Sequence, residues 1–299
     1  MSDFSSFPLI DATDHEILMH KEVHFGGSFA VMIDYYAQEE NKGCMEEFSQ
    51  ERIELLSQIE LEEGINLAQE LLMDEEKQLI ARAQKKYADL KKIYDLPFGF
   101  THLVADLLLS EDIDAVDEIE ALCKHPEAIP LLLQIVQDED SYLPLFPGYG
   151  FAPFHAIECL GKLQAKEAIL PIFETLSKTD FFGEETIFSA LFHIGNPAKE
   201  FLLQKLQKTP ITKENENAAI ALSWFQEDPE VSSVCLQLLR EPSIQENSRF
   251  FSQLLLSCTE PDAKKQKILE ELAQIPNLSS DCKEELQWIL RSNQNRTKV

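Results

Sequence analysis

The sequence is poor in the two residues that interrupt helices. Its 299 residues include only 10 glycines and 14 prolines. These separate long windows rich in Leu, Ile, Ala, Glu, Gln and Lys, which lose little conformational freedom on entering a helix. No series of alternating apolar and polar residues indicates a sheet. The scarcity of helix breakers therefore predicts an all-α fold.

Long apolar runs and paired cysteines are also missing. No stretch approaches the roughly 18 consecutive apolar residues that a membrane helix needs, and the first residues lack the basic start and apolar run of a signal peptide. The 6 cysteines stand singly, mostly within apolar helical patterns and without a Cys-x-x-Cys pair, which indicates buried thiols. We therefore expect a cytoplasmic protein without a transmembrane segment.

Basic side chains are few. The chain has 26 Lys and Arg against 53 Asp and Glu, a formal net charge of -27. This charge repels phosphate backbones and favours protein partners with a basic surface. The one basic window, residues 77–92, lies next to and between acidic residues and is typical of a solvated helix face. We therefore expect a protein partner and no nucleic-acid binding.

Catalytic signatures are absent as well. The sequence contains no Gly-x-Ser-x-Gly, no Walker loop, no Gly-x-Gly-x-x-Gly and no kinase motif set, so it offers neither an activated nucleophile nor a phosphate-binding loop. We expect no catalytic activity of its own and no cofactor.

What is present begins with an N-terminal helical region over residues 1–110. Thr13 or Asp14 is predicted to cap a first helix that ends near residue 24, and Ser28 to cap a second that ends near residue 38. Apolar spacing then predicts further helices near 46–61, 65–72, 74–94 and 100–109.

From about residue 112 the sequence repeats itself. Five segments each predict an apolar helix, a short turn and a second helix: 113–137, 154–176, 186–206, 217–239 and 249–272. Proline suits the first position of a helix, where its missing N–H is not needed. Pro126, Lys166, Pro197, Pro229 and Pro261 occupy equivalent places at the start of the second helices. The intervals between them are 40, 31, 32 and 32 residues, and the last three are nearly equal.

Four short motifs within these segments resemble the HEAT repeat family, particularly its short bacterial HEAT-like form. They are Ala156-x3-Leu160-Gly161, Ala190-x3-Ile194-Gly195, Pro197-Ala-Lys-Glu and Lys166-Glu-Ala-Ile. The resemblance covers about residues 112–274 and identifies no subfamily. It implies an α-solenoid of about five HEAT-like hairpins whose concave side takes a protein partner. Some bacterial HEAT-like proteins are lyases for bilin-type cofactors, but no catalytic motif here carries that activity over.

The repeat region is therefore predicted to form a second domain over residues 111–292. A capping helix is expected near residues 280–291, because an exposed terminal repeat needs a cover. Residues 293–299 are predicted to be a frayed tail.

An insertion of unusual composition, residues 138–153, lengthens the first interval. It is rich in aromatic residues and proline, which either fill a gap between repeats or anchor a partner. We predict that the chain is a non-catalytic protein-interaction scaffold and that the insertion supplies binding residues. These are Tyr142, Phe146, Tyr149 and Phe151. The acidic residues 138–140 beside them are expected to steer a basic partner.

The alternative is a metal site near the N-terminus. Glu16, His20 and His24 are spaced four residues apart and would lie along one face of a helix, a geometry that can chelate a transition-metal ion. The chain would then be a metal-binding protein or a metal-dependent enzyme. Packing of the two histidines against neighbouring helices remains the competing interpretation.

Overall fold

The computed structural model describes residues 10–38, 41, 45, 47–110, 112, 114–177, 183–258, 263–276 and 278–296. Every regular element in these residues is helical, which confirms the predicted all-α fold. None of the helices in the described residues is long and apolar enough to cross a membrane. The chain groups into two compact units, Met1–Ala156 and Ile157–Val299. The first unit thus extends beyond residue 110, where the sequence predicts a boundary.

The helices of the first unit follow the predicted N-terminal series closely. They are α1 (Ala12–His24), α2 (Phe29–Tyr36), α3 (Gln50–Glu63), α4 (Leu67–Leu71), α5 (Asp74–Ile93), α6 (Phe100–Leu109), α7 (Val116–Leu122) and α8 (Ile129–Gln137). The cap of α1 is Asp11, and Asp14 is its partner in a capping box. The sequence placed this cap two or three residues too late. Ser28 caps α2 as predicted, by accepting a hydrogen bond from the Val31 N–H.

Two ion pairs, each with one fully buried member, fasten α1 to α3. The Lys21 ammonium is fully buried and donates to Glu60 Oε1 at 2.7 Å, and it lies 4.6 Å from the centre of the Phe29 ring. Asp14 is fully buried as well and accepts two hydrogen bonds from the Arg52 guanidinium. Burial alone would raise the pKa of Asp14, but the hydrogen bonds from Arg52 and from the Asp11 backbone, together with the positive charge of Arg52, lower the pKa.

The second unit continues the series of short helices. α9 (Ala152–Lys162) contains the division between the units. After it come α10 (Ile169–Thr175), α11 (Glu184–Ile194), α12 (Asn196–Leu206), α13 (Lys213–Leu222), α14 (Pro229–Leu238), α15 (Pro242–Gln245), α16 (Ser248–Leu255), α17 (Ala263–Ala273) and α18 (Ser280–Arg296). A helix lies at the position predicted for the cap: it is α18, whose backbone is helical through Arg296. The frayed tail stays a prediction.

Four of the five predicted segments contain two helices separated by a short turn, and the fifth contains α16 and α17, between which residues 259–262 lie outside the described residues. Pro126 opens a 3-10 turn before α8, and Pro197 and Pro229 stand in the first turns of α12 and α14. Lys166 begins the equivalent 3-10 turn before α10, while Pro261 lies outside the described residues. The stacking of these pairs into a solenoid remains a prediction.

A close helix approach explains one glycine of the repeat motif. A Cβ on Gly161 would lie 2.6 Å from the Cα of Ala190. The backbones of α9 and α11 can therefore meet only because both positions are small. Further along the unit, α11 packs on α13, α13 on α16, and α16 on α18.

Candidate functional site

The insertion after α8 packs back onto the N-terminal helices. Leu145 and Phe146 belong to the same buried cluster as the core residues of α1, α2 and α3, and Phe146 has no exposed surface. Tyr149 is only 8% exposed. An anchor must be reachable by its partner, so the expectation that Phe146 and Tyr149 bind a partner is corrected. Both are packing residues of the first unit.

The other two predicted binding residues are half-buried. The Tyr142 hydroxyl donates to the Val136 carbonyl oxygen at 2.8 Å, and its ring meets Phe154 edge-on at 5.9 Å. The Phe151 ring lies 6.4 Å from that of His155. The four aromatic residues therefore do not form one exposed binding surface.

A left-handed turn directs Tyr149 inward. Gly148, Tyr149 and Gly150 have φ angles of 82°, 50° and 84°. A Cβ on Gly150 would lie 2.8 Å from the Tyr142 carbonyl oxygen, and one on Gly148 would lie 2.9 Å from the Ala152 Cβ, so both positions need glycine. A left-handed conformation costs a residue such as tyrosine about 1–2 kcal/mol. The contacts of the Tyr149 ring offset part of that cost.

Those contacts join the insertion to the predicted metal-binding histidines. The rings of His20 and His24 stack with their centres 4.8 Å apart, and the His24 ring stacks on Tyr149 at the same distance. Phe48 closes one side with its ring 5.1 Å from His20. The Tyr87 hydroxyl lies 3.3 Å from His24 Nδ1, within hydrogen-bond distance. One of the predicted binding residues, Tyr149, and two of the predicted metal ligands, His20 and His24, thus form a single aromatic cluster.

Burial keeps both histidines of this cluster neutral. Burial lowers the pKa of His20 to about 3, with a smaller contribution from the neighbouring His24. Burial also lowers the pKa of His24 to about 4, although a hydrogen bond with the Leu145 backbone acts in the opposite direction and raises this pKa. A base this weak transfers protons inefficiently near neutral pH. The cluster is therefore suited to packing rather than to acid–base chemistry.

The structure does not assemble the predicted metal ligands. Among the described residues, no three His, Cys, Asp or Glu side chains are grouped so that they could hold a metal ion. Glu16 is exposed as a residue. Neighbouring atoms still cover part of its carboxyl group, and this cover together with the Glu47 carboxylate raises the pKa of Glu16. His20 and His24 supply a pair of rings without a third ligand, and most sites for transition-metal ions need more.

The acidic run beside the insertion is neutralised by the basic side of α5. Arg82 donates two hydrogen bonds of 3.1 Å to the Asp140 carboxylate, and Lys86 pairs with Asp138. Asp138 also accepts a hydrogen bond of 2.7 Å from the Ser141 hydroxyl. Two of the three acidic residues expected to steer a partner therefore fasten the insertion to α5. Two basic residues of the window 77–92, Arg82 and Lys86, are therefore engaged in ion pairs with the insertion.

Between these fastenings and α6 lies an apolar cleft of about 660 Å³. Its walls come from α5, α6, α8 and the insertion. The apolar lining residues are Leu90, Ile93, Leu96, Val104, Leu108, Leu131, Ile135 and Pro147. The polar lining residues are Lys86, Asp89, Thr101, Gln134, Asp138 and Ser141. A concave, mostly apolar surface with a few polar groups is typical of binding sites.

Exposed apolar side chains continue beside the cleft. Leu96, one of its lining residues, is 58% exposed, and Phe98 is 79% exposed in the turn between α5 and α6. Tyr94 is exposed in the same turn, and its hydroxyl donates to Asp106 at 2.6 Å. The apolar surface therefore extends past the cavity, as expected where a protein rather than a small molecule binds.

The sequence gives no direct signal for this cleft. Its lining residues come from three helices and a loop, and each appears in the sequence as part of an ordinary amphipathic pattern. The one usable signal is the segment 94–98, where a leucine and a phenylalanine flank a proline after the end of a predicted helix. Only the three-dimensional packing unites this turn with the insertion.

No protein-family model, curated protein or solved structure matches the chain. The repeat resemblance and the cleft therefore stand on the residues of this chain alone.

Proposed function

We propose that this chain is a non-catalytic, cytoplasmic protein-binding scaffold whose helix pairs stack as a HEAT-like solenoid. Its first unit binds a basic protein partner in the cleft between α5, α6, α8 and the insertion. The observation that carries the proposal is the continuity of this cleft with the exposed turn 94–98. A partner chain can cover both surfaces, whereas a small ligand would fill only the cavity.

Charge supports a basic partner. The first unit, residues 1–156, holds 32 of the 53 acidic residues and only 10 of the 26 basic ones, which leaves 21 and 16 for the second unit. Such an excess of one sign accelerates association with oppositely charged proteins and makes it sensitive to salt. In the run 138–140, Asp140 pairs with Arg82 and Asp138 with Lys86. The excess negative charge of the unit therefore comes mainly from its other acidic residues.

Site-specific photo-crosslinking tests this proposal. A photoreactive residue in place of Leu96 is expected to capture one dominant basic protein in the native cell. The same residue in place of Leu61 is the control, because Leu61 is 80% exposed on α3 and does not line the cleft. Equal capture from both positions would contradict the proposal. The proposal would also be contradicted if native mass spectrometry found a small molecule bound to the unaltered chain but not to Leu96→Lys.

A further inference from the structure

Large apolar side chains are exposed at one repeated position of the second unit. Phe192, Trp224, Leu256 and Trp288 follow one another at intervals of 32 residues, and they are 42%, 37%, 47% and 67% exposed. In the described part of this unit, the only other exposed large hydrophobic side chain is Leu170. Single exposed apolar residues are ordinary on protein surfaces, but a set that keeps the repeat period is not.

The four positions share one place in the 32-residue period. Phe192 lies near the end of α11, Trp224 and Leu256 lie in the 3-10 turns that extend α13 and α16, and Trp288 lies in α18. These four helices pack on one another in that order. The repeat therefore continues through α18, and the four side chains form a row that we call the apolar ladder.

Neighbouring members of the ladder meet in space. The rings of Phe192 and Trp224 have their centres 6.4 Å apart. The 3-10 turns that carry Trp224 and Leu256 contact each other. Leu256 and Trp288 line a common groove of about 740 Å³ between α16 and α18. The ladder is thus a continuous surface across four helices that pack side by side, α11, α13, α16 and α18.

We propose that the apolar ladder binds a basic amphipathic helix of a protein partner. Packed helices lie about 8–10 Å apart, so the helices that carry successive members of the ladder are separated by about that distance, although the rings of Phe192 and Trp224 lean together to 6.4 Å. A bound helix presents the same face again after two turns, or about 11 Å. Its apolar residues, recurring about every seven positions, would therefore meet successive members of the ladder. The row is too long for a small molecule.

The groups around the ladder favour a partner with positive charge. Glu284 and Glu285 line the same groove as Trp288, against a single guanidinium from Arg291, and Glu227 is exposed just after Trp224. Lysine or arginine residues that flank the apolar face of a bound helix would pair with these carboxylates.

A buried acceptor in the same groove fits this partner too. Gln253 lines the groove, and its Oε1 has no hydrogen-bond partner among the described residues. Because a buried acceptor without a donor is unfavourable, a cationic donor on the bound helix would stabilise the complex. A second copy of this chain is disfavoured as the occupant, because each copy has a net charge of -27.

Tryptophan fluorescence reports on the ladder alone, because Trp224 and Trp288 are the only 2 tryptophans in the chain. A synthetic helix of about 25 residues, with leucine at every seventh position and lysine beside each leucine, is expected to shift the tryptophan emission to shorter wavelength. The peptide with glutamate in place of lysine is expected not to bind. So is a peptide of the same composition with its leucines divided between opposite faces.

Matched variants locate the binding. Leu256→Glu is expected to weaken peptide binding at least about tenfold, because a charge replaces a central apolar contact. Leu170→Glu is expected to leave the affinity unchanged, since Leu170 is 46% exposed but lies off the ladder. Leu96→Lys should also have no effect, so this test is independent of the cleft in the first unit.

Several results would overturn the proposal. Absence of peptide binding, or equal losses in Leu256→Glu and Leu170→Glu, would remove the ladder as the site. Equal binding of the glutamate peptide would remove the basic partner. If ultracentrifugation of the whole chain detects a dimer that Leu256→Glu dissociates, the occupant is a second copy instead.

Discussion

The two units of this chain use the same kind of short helix but stabilise it differently. The first unit joins distant parts of the sequence: the insertion 138–153 completes the core of α1, α2 and α3, and two ion pairs fasten α1 to α3. The second unit joins each helix to its neighbours in the repeat, with a small buried residue such as Ala190 allowing a close approach. The comparison teaches that a regular repeat spacing predicts which helices pack on each other. The sequence of an insertion does not predict which helices it will contact.

The largest effect should come from breaking the long-range core of the first unit. Phe146→Ala removes a fully buried ring and is expected to lower the free energy of unfolding by about 3–5 kcal/mol. Hydrogen exchange should quicken in α1, α2 and α3, although these helices are over 80 residues away in the sequence. Leu202→Ala in α12 is the matched change in the second unit, and its effect should remain in α11 to α13. If Phe146→Ala loosens only the insertion, the first unit does not depend on it.

A smaller effect separates backbone strain from crowding. Gly150 and Gly195 have nearly the same φ, 84° and 82°. A Cβ on Gly150 would meet the Tyr142 carbonyl oxygen, whereas one on Gly195 would meet nothing within 4 Å. Gly195 combines a φ of 82° with a ψ of -139°, a conformation nearly confined to glycine, so Gly195→Ala is expected to destabilise the chain by about 1–3 kcal/mol through strain alone. Gly150→Ala is expected to cost at least about 1 kcal/mol more. Chemical denaturation measures both. Equal losses would mean that the turn of the insertion can relax.

Much of the fold follows from the sequence, because helix caps and apolar spacing are local signals. Ser28 caps α2 as predicted, and the prolines at 126, 197 and 229 begin helical turns. The candidate site is less accessible, because its parts lie on different elements. Aromatic content marks the insertion as unusual but does not say whether Tyr149 faces a partner or His24. That outcome depends on the left-handed turn at 148–150, on the burial of His20 and on the partial burial of His24.

A third effect concerns pH. His20 has a pKa of about 3 in the folded chain against 6.5 as its ordinary value. The unfolded chain therefore takes up a proton below pH 6.5 that the folded chain refuses, and stability falls as the pH is lowered towards 3. The loss approaches about 1.4 kcal/mol per pH unit for this histidine. His20→Leu should therefore lose less stability than the unaltered chain between pH 6.5 and pH 4.5.

Denaturation at several pH values checks this expectation. Asp14, whose pKa is lowered below its ordinary 3.8, loses its contribution only at lower pH and does not interfere in that window. If the two proteins lose stability in parallel, His20 already titrates normally in the folded chain, and the aromatic cluster is open to water.

The most direct test of the central claim, that the first unit binds a basic protein in its cleft, is a titration with the partner captured by photo-crosslinking. The Kd is measured for the unaltered chain, for Leu96→Lys and for Leu61→Lys, at low and high salt. Leu96→Lys should weaken binding at least about tenfold, Leu61→Lys should leave the Kd unchanged, and salt should weaken binding in the unaltered chain. Equal affinity of Leu96→Lys and the unaltered chain would contradict the account.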